Sequence, residues 1–156
     1  MSVAVFDIDG VVADVRHRLH HLHGHHAWNA FFDDAGDDPL LPEGAALVAD
    51  LGREHEIVWL TGRPDWLRRV TKRWLIEHGL PADELHMRGG GDFRPARIFK
   101  VDALRAISRH RLIAAHIDDD AEVVDAAVRA GYPSVLADWI PRDEAMREAQ
   151  EKFGRT

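Results

Sequence analysis

At 156 residues the chain suits one domain spanning 1–156, since cores of this size bury most of their apolar surface. The absence of cysteine excludes disulfides, thiolate catalysis and cysteine zinc sites and fits a reducing compartment. A formal net charge of -7 argues against non-specific binding to duplex nucleic acid, whose affinity comes largely from neutralised phosphates. There is no apolar run of about 18 residues or more and no basic-then-apolar leader, so the expected setting is cytoplasmic with no membrane partner.

In chain order, Val3-Ala4-Val5-Phe6 is a short apolar run rich in β-branched and aromatic residues, as a buried central strand reads. It runs into Asp7-Ile8-Asp9-Gly10. Side chains alternate faces in an extended chain, so Asp7 and Asp9 point the same way at the strand end, and Gly10 permits a sharp turn. Two adjacent like charges disfavour each other's ionisation unless a cation or a shared proton relieves them. A hard divalent ion such as Mg2+, which takes oxygen ligands, is the natural relief. Alone, an Asp-x-Asp is more often a solvated acidic turn.

The segment 13–42 is the least regular part, and its place after the acidic strand end makes it a candidate lid or flap over that site. It carries Arg16, Arg18 and six of the 11 histidines, then Trp28, Phe31 and Phe32, and the acidic turn from Asp33 to Pro39. Clustered imidazoles bind transition metals, but without fixed spacing they are more often a solvated surface.

From Glu43 to Arg53 the spacing of Ala46, Leu47 and Leu51 predicts an amphipathic helix. Glu56-Ile57-Val58-Trp59-Leu60 reads as a second buried strand ending in Thr61-Gly62-Arg63-Pro64. Pro64 suits the first position of a helix, Asp65 its positive end and Gly79 its stop. A hydroxyl at a strand end beside the free amides of a helix start is a place to hold a phosphate, which singles out Thr61. A short strand over 83–88 follows, and the loop Gly89-Gly90-Gly91 then gathers Arg88, Arg94 and Arg97, whose guanidinium forks suit phosphate oxygens. Lys100 is expected to open the next helix and to point back towards the strand ends. Leu112 to Ile117 is another apolar strand, ending in Asp118-Asp119-Asp120. One of these acids can cap the helix that stops at Gly131, leaving the others free for a metal. A last strand over 134–136 leads to a largely charged helix.

Strands alternating with helices imply an α/β, three-layer, Rossmann-like fold with a mostly parallel sheet, and right-handed crossovers bring the strand ends to one edge, where ligands of such folds bind. That edge collects Asp7, Asp9, Thr61, Lys100, Asp118 and Asp119, a set suited to phosphoryl transfer: carboxylates for a metal, cation and hydroxyl for a phosphate.

Asp7-Ile8-Asp9-Gly10-Val11-Val12, Leu60-Thr61-Gly62-Arg63, Lys100 and Ile117-Asp118-Asp119, in this order, resemble the four motifs of the haloacid dehalogenase (HAD) superfamily of phosphotransferases. Within it the chain is similar to the 3'-phosphatase domain of phage-type polynucleotide kinases, through the Asp14 to Arg18 segment, Trp74-Leu75, and Met87-Arg88 with Asp92-x-Arg94. It departs from that group at Pro95-Ala96, where a Lys-Asp pair is usual, and it has no kinase P-loop. The resemblance implies that Asp7 is the nucleophile forming an aspartyl-phosphate and Asp9 the general acid and base. It further implies Mg2+ held by Asp7, the Asp9 carbonyl, Asp118 and Asp119, with Thr61 and Lys100 on the transferred group. Gly62, Arg63, Arg18, Arg88 and Arg94 would meet the substrate.

The implied substrate is a 3'-phosphate on a nucleotide or nucleic acid end, reached because the lid is small, with no obligate protein partner. A deoxyribonucleotidase-like phosphatase of mononucleotides is the alternative within the same chemistry. Outside it stand a phosphorylated receiver domain, disfavoured by motif order, and a histidine-rich metal-binding protein. Trp28, Phe31 and Phe32 are candidates for base stacking, although packing of the lid explains them more simply.

Overall fold

The computed structural model describes residues 2–156. Five strands, β1 (Val3–Phe6), β2 (Glu56–Pro64), β3 (Leu85–Arg88), β4 (Ile113–Asp118) and β5 (Ser134–Leu136), form one sheet in the order β3-β2-β1-β4-β5. Every pairing is parallel. The helices are α1 (Trp28–Asp33), α2 (Pro42–Leu51), α3 (Arg68–Glu77), α4 (Ala96–Ser108), α5 (Ala121–Arg129) and α6 (Glu144–Glu151). The α/β fold with a parallel central sheet is therefore as the alternation of periods implies.

The alternation within β1 assigns its two faces. Ala4 and Phe6 join Val48 of α2, Trp59, and Trp74 and Leu75 of α3. Val3 and Val5 join Phe99, Leu104 and Ile107 of α4 with Ala127 of α5. Both faces are covered, so β1 is apolar throughout, as a central parallel strand must be. Each fully buried large side chain contributes roughly 1.5–3 kcal/mol. A third cluster, with Val15, Leu19, Leu22, Phe31, Phe32, Leu67, Met146 and Ala149, packs the 13–37 segment onto α6 and the start of the crossover from β2 to β3.

Two expectations about element ends are corrected, and a third is met. Pro64 does not begin a helix: with ψ 147° it is the last residue of β2, and a 3-10 turn over Asp65–Leu67 precedes α3. The register irregularity between Thr61 and Pro64 lets β2 keep pairing with β3 at Arg88, so tertiary pairing overrides the local helix signal. Lys100 lies in the second turn of α4 rather than at its start, because Pro95, with extended ψ of 144°, sets the beginning at Ala96. Asp120 takes the capping role after β4, accepting from the Glu122 amide at 3.0 Å. No described helix is long and apolar enough to cross a membrane.

Candidate active site

Parallel pairing sets the ends of β1, β2 and β4 side by side. Asp7 follows β1 directly, its amide donating to the Ile117 carbonyl of β4 at 2.9 Å. Beyond it the chain folds tightly, with the amides of Val11, Val12 and Ala13 converging on the Ile8 carbonyl. Gly10 sits at φ 77°, and any Cβ there would collide with the Asp119 carboxylate. Only glycine allows both the left-handed turn and the close approach.

Lys100 reaches back from α4 into this edge. Its Nζ lies 2.9 Å from Asp7 Oδ1 and donates to Asp118 Oδ2 at 2.6 Å. Ligand oxygens of Asp7, Asp118 and Asp119 all lie within 4.8 Å of one another. Burial, then Asp118, push Asp7 well above the usual carboxylate range against the pull of Lys100. Burial and the Asp118 charge raise Asp119 to about 7. Burial acts on Asp118 too, but Lys100 and His116 outweigh it and hold its pKa at about 2. One ammonium thus faces three carboxylates, two of which hold a proton more tightly than a free aspartate for want of a second cation, and every donor is an oxygen. That donor set fits a hard divalent cation such as Mg2+, with Asp7, Asp118 and Asp119 as its side-chain ligands. Thr61 lies fully buried on the adjacent strand, its hydroxyl accepting from the Arg63 amide at 3.1 Å.

Asp9, expected as the general acid and base, is held by two arginines. Its Oδ1 accepts from Arg63 Nη2 at 2.7 Å and Nε at 3.0 Å, and from Arg18 Nη2 at 3.1 Å. Burial opposes ionisation, yet Arg63 and Arg18 prevail and hold Asp9 at about 2. Behind it, Asp38 accepts from Arg18 Nε at 2.8 Å and Nη2 at 2.9 Å, and from Arg63 Nη2 at 3.0 Å. Arg18 and Arg63 are both fully buried, the former with its guanidinium 4.3 Å over the Phe31 ring. They were expected to face substrate; here they face two carboxylates, because an interior guanidinium must be paired.

Arg88 is also inside, 1% exposed, donating to the Gly62 carbonyl at 3.0 Å and the Arg94 carbonyl at 2.7 Å. Burial lowers it to about 10. Arg94 is on the surface, paired with Asp92 and Asp102 at 2.8 and 2.7 Å, away from the carboxylate cluster's contacts. Gly62 packs so closely on Thr156 that a Cβ would overlap its backbone. The histidines pair with separate acids, His17 with Asp38 at 2.6 Å and His21 with Asp34 at 2.7 Å. Among the described residues neither three-ligand group includes a histidine. Phe31 and Phe32 are buried and Trp28 half-buried, so the first two serve the core.

Sequence reasoning missed Asp38, Gln150 and Thr156. Gln150 donates to Asp119 Oδ1 at 3.2 Å and the Thr156 hydroxyl to Asp9 Oδ2 at 3.1 Å. The only signal for Asp38 was its place before Pro39 in the acidic turn; the other two carried none.

A family model for the polynucleotide kinase PNKP phosphatase domain matches residues 1–136. A Bacillus cereus protein provisionally named a nucleotidase is 27% identical, over 51% of this chain and 60% of its own length. A chain in the structure of the Pnkp1/Rnl/Hen1 RNA repair complex superposes with a TM-score of 0.71 at 25% identity, over 87% of this chain and 42% of that one. The class C acid phosphatase of Bacillus anthracis gives 0.65 at 13% identity, over 86% and 65% of the two chains. This last likeness is one of fold. The chain thus spans well under two thirds of the RNA repair chain and 60% of the curated relative.

Proposed function

This chain belongs to the polynucleotide kinase PNKP phosphatase domain family, phosphoric monoester hydrolases of the HAD type, and on that premise we propose that it removes a 3'-phosphate from a nucleotide or nucleic acid end, with Mg2+ and through an aspartyl-phosphate. The observation that carries the reading is Lys100 bridging Asp7 and Asp118 beside Asp119. The likeness to a chain of an RNA repair complex favours a polynucleotide end over a free metabolite.

In this reading an Asp7 carboxylate oxygen attacks phosphorus while the bond to the ester oxygen breaks. Lys100 pulls Asp7 towards ionisation against burial and Asp118, Mg2+ would complete that shift, and the ammonium lies where it also meets the transferred group. Mg2+ on Asp7, Asp118, Asp119 and the Asp9 carbonyl would offset the repulsion between anionic nucleophile and anionic substrate. The Thr61 hydroxyl donates to the transferred phosphoryl oxygens. Asp9 Oδ2 takes no bond from the arginine pair and accepts from the Thr156 hydroxyl; it is the oxygen that hands a proton to the leaving oxygen, then takes one from the water that hydrolyses the acyl phosphate. Held ionised by Arg63 and Arg18, it is ready for the second task and must loosen from them for the first. The 13–42 segment acts as a small lid, with Arg18 anchoring it to Asp9.

The test is phosphate release from an oligonucleotide 3'-phosphate, 3'-dTMP and 5'-dTMP, with Mg2+ and with EDTA. Metal-dependent release from the 3'-phosphates, lost in Asp7→Asn, is the expected result. Release from 5'-dTMP alone would move the reading to a nucleotidase, the activity for which the Bacillus cereus relative is named. Metal-dependent phosphate release that survives in Asp7→Asn would sink the covalent route.

A further inference from the structure

The nucleophile has almost no open path in this arrangement: Asp7 keeps 3% and Asp9 2% of their exposure. What closes the cleft is the segment that follows α6. Thr156 lies against Gly62 and its hydroxyl bonds Asp9. Arg155, one residue earlier, places its guanidinium 5.2 Å from the Trp28 ring and 4.6 Å from the Phe93 ring. These rings belong to a groove of about 140 Å³ that Trp66, Pro64 and Arg88 also line.

The groove is unusual for its aromatic surface. Trp66 and Phe93 are 56% and 51% exposed, although burying either would be favourable. Trp66 stands edge-on to Phe32 at 5.5 Å, so its orientation is set by the packed lid rather than by solvent. The groove adjoins the phosphoryl edge through Arg88, which lines it and donates to the Gly62 carbonyl, next to Thr61, and, at 3.4 Å, to the Thr156 carbonyl. A flat cation stacked on two rings, with a hydroxyl at the catalytic carboxylate on the neighbouring residue, repeats the layout of a base and the 3'-substituent of one nucleotide.

We infer that the groove between Trp28, Trp66 and Phe93 is the site for the terminal nucleobase of the substrate, and that Arg155 and Thr156 occupy the place of that nucleotide until it arrives. The inference rests on the phosphatase reading for the identity of the ligand. Aromatic faces accept any base by stacking, worth about 1–3 kcal/mol per base, which suits an enzyme that meets ends of many sequences. Asn29 at the rim offers an amide to base edges. Entry requires residues 155 and 156 to move aside, giving up the Arg155 amide bond to the Ala149 carbonyl at 2.8 Å and the Thr156 bond to Asp9.

The experiment is calorimetric titration of the Asp7→Asn chain with 3'-dTMP and with an abasic deoxyribose 3'-phosphate, repeated after adding Trp66→Ala or Arg155→Ala. The base should tighten binding by about tenfold. Trp66→Ala should erase that difference while leaving the abasic ligand unchanged, and Arg155→Ala should tighten both ligands. These opposite signs separate a base site with an internal competitor from simple structural damage. Equal affinity for the two ligands, a base preference that survives Trp66→Ala, or weaker binding in Arg155→Ala would overturn the inference. If the unsubstituted chain releases phosphate from both ligands with one KM, the phosphatase reading stands and the base site falls. If the Trp66-dependent preference is present but no phosphate is released, the base site stands and the phosphatase reading falls.

Discussion

Lys100, in the second turn of α4, donates to Asp118 at the end of β4 at 2.6 Å with both side chains buried. The pair joins a helix to the carboxylate edge of the sheet, and the same ammonium reaches Asp7. Removing one partner of a buried pair leaves a charge with nothing to offset it, at a cost of about 3–5 kcal/mol. Lys100→Met should therefore lower the unfolding free energy by about that much in EDTA, read by urea denaturation. Mg2+ should return part of the loss in this variant. A loss unaffected by Mg2+ would separate the lysine from the metal ligands.

Asp119 gives a prediction in which pH and metal act in opposite directions. Its carboxyl is raised to about 7 by burial and by Asp118, above the roughly 3.9 of an unfolded aspartate. Between those values the folded chain holds a proton that the unfolded chain has released, so stability falls as pH rises through the interval. In EDTA, Asp119→Asn should raise Tm at pH 8 and leave it unchanged near pH 4. With Mg2+ the order should reverse, because the metal loses a ligand. For the unsubstituted chain, Mg2+ at 100 times its Kd should add about 2.7 kcal/mol.

Asp38 is the second carboxylate of the arginine network. Asp38→Ala would leave Arg18 and Arg63 short of one counter-charge, and should cost about 3–5 kcal/mol in chemical denaturation. The Trp74 indole donates to the Asp38 backbone carbonyl at 2.8 Å, a bond that the substitution preserves. Asp38→Asn keeps the volume and should recover less than half of the loss; full recovery would show that shape and not charge matters there.

Gly44 in α2 lies against the Val11 carbonyl, and a Cβ there would overlap it. Gly44→Ala would push α2 away from the loop that carries Asp9, at about 1–3 kcal/mol of overpacking. Helix propensity favours alanine by about 1 kcal/mol, so a net gain in Tm would show that the contact yields easily.

Asp120 pairs with Arg142 at 2.7 Å through Oδ1, but its buried Oδ2 and the Glu151 Oε1 have no partner. Burial, with Glu151 beside it, raises Asp120 to about 9, so stability falls as pH rises from about 4 towards 9 by the same linkage. Asp120→Asn should flatten that slope in thermal melts between pH 5 and 8. An unchanged slope would mean that another group sets it.

Much of the site was readable along the chain because its residues sit at strand ends. The two-residue period puts Asp7 and Asp9 on one face, and an apolar run ending in acid marks Asp118 and Asp119. Thr61 and Lys100 follow from parallel pairing of the strands between them. Asp38 was hidden because the turn from Asp33 to Asp38 holds four aspartates that look alike in one dimension. Arg18 and Arg63 looked like substrate contacts because an arginine near a phosphate site has two possible partners, and the chain order does not say which one folding brings.

The sequence by itself determined the α/β alternation, the order of the acidic strand ends and the absence of thiol chemistry, since these depend on local period, composition and short-range spacing. Tertiary structure alone decided that Asp9 is clamped by two buried guanidiniums, that β2 runs on through Pro64, and that the Thr156 hydroxyl bonds Asp9. Each of these joins residues far apart in the chain, 147 positions for Thr156 and Asp9. Their partners are chosen by which charges and faces burial leaves unsatisfied, and no local pattern encodes that choice.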